Sequence, residues 1–157
     1  MRAYDYVNRL MEQNRKNSAL LSAKPTETNA AAERMAEELA GVKYRVSQLE
    51  NELFALKAKA YAGMADVLLF ESAMSPDAVR RFADAILAGC TGRIAIFAGD
   101  DEAGYKYALC QKDGDLLQTV KALNAACNGR CGGKPFFAQG SVQASRAQLE
   151  AFFASLG

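Results

Sequence analysis

From Ala32 onward, apolar residues recur in unbroken steps of three and four: Ala32, Met35, Leu39, Val42, Val46, Leu49, Leu53, Leu56 and Ala60. This is a heptad seam, with a positions at 32, 39, 46, 53 and 60 and d positions at 35, 42, 49 and 56. It predicts one long helix whose apolar stripe needs a partner. The flanking positions Glu38/Lys43, Arg45/Glu50 and Glu52/Lys57 carry opposite charges, as a parallel two-stranded coil requires. Gly41 weakens the helix by about 1 kcal/mol relative to alanine. Upstream, Ala3, Val7, Leu10 and Leu21 mark a shorter helix over residues 3–23, its stripe broken by Asn14 and Asn17. The stretch Lys24-Pro25-Thr26-Glu27-Thr28 ends it, because a residue before proline is held out of the helical region, and Thr26 or Thr28 can cap the long helix. The two helices can fold into a hairpin, or the long one can pair with a second copy. The first is a poor match for the whole seam. We therefore expect a homodimer through Leu39, Val42, Val46, Leu49, Leu53 and Leu56.

Composition changes near Gly63, after which glycines recur at turn-like intervals. Asp66–Phe70 and Arg93–Ala98 are apolar enough for buried strands. Between them, Ser75-Pro76 resembles an N-cap followed by proline at the first helical position, opening a helix to about Leu87. The turn segment Gly99–Gly104 returns the chain as a strand over 105–111, giving a hairpin. Residues 116–126 have an amphipathic helical pattern, Phe136–Gln143 a strand pattern, and Ser145-x-x-Gln148 is a capping box before a last helix carrying Leu149, Phe152, Phe153 and Leu156. The expected class is α/β (α+β): long N-terminal helices, as a coiled coil or helical hairpin, then a small mixed sheet with helices packed on it. The expected division is residues 1–62 and 63–157.

The chain has no histidine, so no Ser-His-Asp, Cys-His or His-containing zinc site can be built from it. Catalytic residues, bound metal and cofactor are all expected to be none. A net charge of +1 gives no global field for wrapping duplex DNA. Four cysteines, at 90, 110, 127 and 131, suit reduced thiols better than a disulfide framework or a metal pair. The polar N-terminus and the lack of a membrane-length apolar run point to a cytoplasmic protein without membrane contact.

One segment looks like a site. Asn128-Gly129-Arg130-Cys131-Gly132-Gly133-Lys134-Pro135 reads as a loop between a helix and a strand. Its glycines leave backbone N–H groups unshielded, and Arg130 and Lys134 add cations, a combination suited to phosphate. It is neither a P-loop nor a dinucleotide fingerprint, since no Gly-Lys-Ser/Thr opens a helix and no G-x-G-x-x-G follows a first strand. The bland alternative is a sharp connection that needs positive φ. Asp100, Asp101 and Glu102 suit a solvated hairpin tip, Tyr105 and Tyr107 suit cross-strand packing better than base stacking, and Arg80-Arg81 suits an exposed basic pair.

The run from Leu123 to Gly140 resembles the DHH-associated domain of alanyl-tRNA synthetases, large-type alanyl-tRNA editing proteins and some phosphoesterases. That domain carries a Gly-Gly-Lys-Gly-Gly-Gly-like loop, a basic residue or histidine, a proline and then Ala-Gln-Gly. Gly129, Gly132, Gly133, Pro135, Ala138, Gln139 and Gly140 match, while Asn128, Arg130 and Cys131 replace two glycines and the lysine, Asn128 mildly because asparagine tolerates the left-handed region. Arg2–Tyr6 and Leu20–Ala23 resemble the helical segment that follows the editing module in the large-type editing proteins. The resemblance implies the C-terminal piece of a longer editing protein, whose histidine- and cysteine-bearing module would precede these helices. It implies a non-catalytic module that binds tRNA, by the same resemblance tRNA for alanine, and that dimerises. The parent would deacylate tRNA for alanine mischarged with serine or glycine, or be related to the synthetase. Gly129, Arg130, Gly132, Gly133 and Lys134 would contact the backbone, with Gln139 as a polar reader. The alternatives are a nucleotide- or nucleic-acid-binding domain of a DHH-type phosphoesterase, or a pure oligomerisation module.

Overall fold

A computed structural model describes residues 2–156. It divides into two compact units, the first ending at Ser47 and the second starting at Gln48. The first unit holds α1 (Ala3–Leu20) and the start of α2 (Thr28–Ala58). Helix α1 buries none of its residues. Its end turns through Leu21 and Ser22, and the Asn14 amide donates to the Pro25 carbonyl at 3.3 Å. Thr28 is the first residue of α2; its hydroxyl donates to that same carbonyl.

The second unit is a five-stranded mixed sheet, ordered β1-β2-β3-β5-β4. Its strands are β1 (Val67–Glu71), β2 (Arg93–Asp100), β3 (Gly104–Gln111), β4 (Arg130–Lys134) and β5 (Phe137–Val142). Only β1 and β2 pair in parallel, joined through α3 (Pro76–Leu87). α3 opens as the sequence indicates, with the Ser75 hydroxyl accepting from the Ala78 N–H at 3.1 Å and proline next. α4 (Leu117–Ala126) and α5 (Arg146–Ala154) follow, and α5 carries the complete Ser145/Gln148 capping box.

Strand β2 is apolar from Ile94 to Ala98 because both of its faces are covered there. Ile94, Ile96 and Ala98 join Phe82, Ile86 and Phe54 in one core on the α3 side. Ala95 and Phe97 join Tyr107, Leu109, Leu123 and Leu149 in a second, on the α4/α5 side. Tyr105 and Tyr107 are both buried there; the Tyr107 hydroxyl donates to Asn124 Oδ1 at 3.2 Å and that of Tyr105 to Asp101 Oδ1 at 2.7 Å. The acidic tip is structural as well, since Asp100 Oδ1 accepts from the N–H groups of Glu102 and Ala103.

Within the second unit the end of α2 lies against α3. Phe54 is 4% exposed and stacks on Phe82 at 4.8 Å between ring centroids. Glu50 pairs with Arg81, and Lys57 pairs with Glu71 at 2.8 Å. Arg81 is therefore no exposed basic residue. It bridges Glu50 and Asp77 beside the Phe54 ring, while Arg80 is the exposed member and pairs with Asp77 and Asp84. The large seam side chains from Met35 to Leu56 are left uncovered, from 49% exposed at Val46 and Leu53 to 63% at Leu56.

Candidate nucleic-acid interface

The glycine-rich segment is not the loop its composition suggests. Residues 130–134 form edge strand β4, antiparallel to β5 in the register Arg130↔Ser141, Cys131↔Gly140, Gly132↔Gln139, Gly133↔Ala138 and Lys134↔Phe137. Glycine and lysine are poor strand formers, so local propensity points away from a strand here. Pairing with β5 overrides it. Nor do these glycines take positive φ. The left-handed residue is Asn128, at φ 47°, a conformation asparagine accepts.

The strand presents alternate residues to opposite faces. Cys131 and Gly133 stand on the α4/α5 face, opposite Gly140 and Ala138. The Asn124 amide donates to Cys131 Sγ at 3.0 Å. Gly133 is glycine for packing: a Cβ there would lie 2.4 Å from the Phe137 carbonyl oxygen and 2.6 Å from Ala138 Cα. At Gly129 a Cβ would meet Asn124 Oδ1 at 2.4 Å, and at Gly140 the Arg130 carbonyl oxygen at 2.2 Å. Three of the motif glycines thus hold β4 close to its neighbours.

Gly132 is different. A Cβ there would meet nothing within 4 Å, and its φ is not left-handed. No fold requirement among the described residues explains it. With Arg130 and Lys134 it stands on the α3-side face, where Phe137 and Gln139 also point. Gln139 donates its amide to the Pro76 carbonyl, so this side chain ties β5 to the start of α3. Sequence alone suggests a reader; the structure gives the residue a positioning bond. Pro135 holds the adjoining turn, its carbonyl accepting the Leu116 N–H at 2.7 Å.

Arg130, Gly132 and Gln139 line a shallow groove of about 460 Å³ together with Pro76, Lys106 and Ser141, and Lys134 lies further along the same face. A second compartment of about 550 Å³ adjoins it, shares Lys106, Arg130 and Ser141, and continues past Met74, Asn128 and Gln143. Lys106, Arg130 and Lys134 are exposed, and no carboxylate among the described residues pairs with any of them. Lys134 Nζ lies 5.8 Å from the Phe136 ring centroid. The groove is therefore cationic on a chain of near-zero net charge, with a bare backbone position in its wall. Lys106 escapes a sequence search centred on the glycines. The signal was its place between two inward tyrosines, which puts the lysine on the opposite face.

Two of the buried thiols are held in their protonated form. Burial raises the Cys110 pKa to about 12, with Asp84 adding to the shift, and burial also raises that of Cys127. Cys131 is the exposed thiol. Among the described residues no cluster of three His, Cys, Asp or Glu side chains is placed to hold a metal ion, and no helix is long and apolar enough to cross a membrane.

A family model described as the DHHA1 domain matches residues 58–156. Among solved structures, RecJ from Thermus thermophilus in complex with Mg2+ is similar at 19% identity and a TM-score of 0.57, over 83% of this chain and 20% of that one. The C-Ala domain of Aquifex aeolicus alanyl-tRNA synthetase is similar at 14% identity and a TM-score of 0.48, over 60% of this chain and 90% of that one. The chain thus spans about a fifth of RecJ, and the likeness to it is one of fold. No curated protein matches the sequence.

Proposed function

Since the chain belongs to the DHHA1 domain family, we propose that it is an accessory domain that binds tRNA without catalysing a reaction, serving an alanyl-tRNA editing or alanyl-tRNA synthetase-related system in the cytoplasm. Its RNA is tRNA for alanine. The observation that carries this reading is Gly132: a glycine with open space around it, flanked on its own face by two cations that no carboxylate among the described residues pairs with. A missing side chain that the fold does not require suits close approach of a phosphate to backbone. Arg130 and Lys134 neutralise that phosphate and its neighbours; Gln139 sets the wall of the groove. Gly129 and Gly133 contribute by letting β4 pack.

The chain acts as a homodimer through the a/d seam of α2. The exposed Leu39, Val42, Val46, Leu49, Leu53 and Leu56 support this, because they would otherwise leave a long apolar stripe in water. Two of the three charge pairs that suggested a parallel coil are compromised, since Glu50 and Lys57 are engaged by Arg81 and Glu71 of the same chain. The seam, more than its flanking charges, is what pairs.

The test is a titration of the full chain with transcribed tRNA for alanine, comparing wild type with Gly132→Ala. The variant should melt like wild type and bind several-fold more weakly. Equal affinity in the two proteins removes the glycine-rich strand from the interface.

A further inference from the structure

We infer that the nucleic-acid footprint is not confined to the glycine-rich strand: it crosses the sheet to β3, where Lys106 and Ser141 form a second phosphate contact. This rests on the nucleic-acid reading above and adds to it a residue pair and a direction.

Lys106 pairs in register with Ser141, and Ser141 pairs with Arg130, so the three lie in one row across β3, β5 and β4. All three are exposed. The row faces the α3 side, because Lys106 stands opposite Ala98, a member of the core beneath α3. The buried rings of Tyr105 and Tyr107 fix Lys106 on this face. Strands lie about 4.8 Å apart, so two steps put the Lys106 and Arg130 backbones about 10 Å apart, with the serine hydroxyl between them. Two long cationic side chains and a donor at that spacing can hold neighbouring phosphates of one strand. Asp100, the acid lining the adjoining compartment, is engaged with the N–H groups of its own turn, and no carboxylate among the described residues neutralises Lys106. The groove and the compartment meet at Lys106, Arg130 and Ser141, so a backbone seated there has space on both sides for the adjoining nucleosides.

The experiment is a salt series of tRNA-for-alanine binding by full-length Lys106→Ala, Arg130→Ala and Lys121→Ala, with melting curves for each. Lys121 is exposed on α4, over the other face of the sheet. Lys106→Ala should melt like wild type, bind several-fold more weakly and lower the salt slope by about 1, while Lys106→Arg restores the slope and Lys121→Ala matches wild type. If Arg130→Ala weakens binding and Lys106→Ala does not, the footprint stops at β4 and the inference is wrong while the reading beneath it stands. If neither weakens binding, both fail.

Discussion

At the level of single residues, the glycines of one motif separate by what a methyl group would touch. Gly133→Ala pushes Cβ to 2.4 Å from the Phe137 carbonyl, so β4 must shift from β5; we expect a loss of about 1–3 kcal/mol, the cost of overpacking. Gly132→Ala enters open space and should leave the melting temperature within about 1–2 degrees, on the order of an ordinary surface change. Urea unfolding of the two variants checks the contrast, and equal destabilisation would contradict it. The sequence marked these glycines but could not sort them, because the atoms that discriminate belong to Asn124, Phe137 and Ala138 across the fold. Lys106 was obscured for the same reason: its neighbours Ser141 and Arg130 are remote in the chain and meet only through strand register.

Among the elements, those with local signals were legible in the sequence. Ser75-Pro76 opens α3, Ser145/Gln148 opens α5, and the apolar runs of β1 and β2 fall within a residue or two of their strands. Strand β4 was not, since Arg-Cys-Gly-Gly-Lys has no local strand preference and exists as a strand only by pairing with β5. The double role of α2 was half visible: the seam could be read, but Phe54, one position off it, gave no sign of meeting Phe82. Truncating that ring by Phe54→Ala should cost about 3–5 kcal/mol in urea unfolding of the globular unit. Conversely, Leu49→Glu with Leu53→Glu touches positions that are 54% and 49% exposed, so the fold should survive while the dimer is lost. Burying those charges in the paired seam would cost several kcal/mol. Sedimentation velocity distinguishes the states; a wild-type protein that is monomeric at tens of micromolar would rule out the proposed dimer.

For the whole molecule, the absent histidine reaches furthest. Purified chain should not deacylate serine- or glycine-charged tRNA for alanine; turnover that survives chelation would contradict this. No side chain with an ordinary pKa between 5 and 8 is available to titrate. The Asp77 carboxyl is held below its usual 3.8 by hydrogen bonds from Arg81 and then Arg80, and that of Asp101 by the Tyr105 hydroxyl and then the Arg146 N–H. A carboxyl with a folded pKa below its unfolded one lends stability above the unfolded value and loses it as pH falls through the folded one. The melting temperature should therefore stay nearly level from about pH 8 to pH 5 and fall below about pH 4, less steeply in Asp77→Asn/Asp101→Asn. A fall beginning between pH 7 and 6 would point to another group. On the function proposed above, an otherwise neutral chain binds RNA through the α3-side face of β4. The most direct measurement is the salt dependence of binding to tRNA for alanine, for wild type and for Arg130→Ala/Lys134→Ala at matched thermal stability. We predict weak, salt-sensitive binding by wild type and a slope lower by about 2 in the double variant. An unchanged affinity and slope in that variant would place the RNA elsewhere on the molecule.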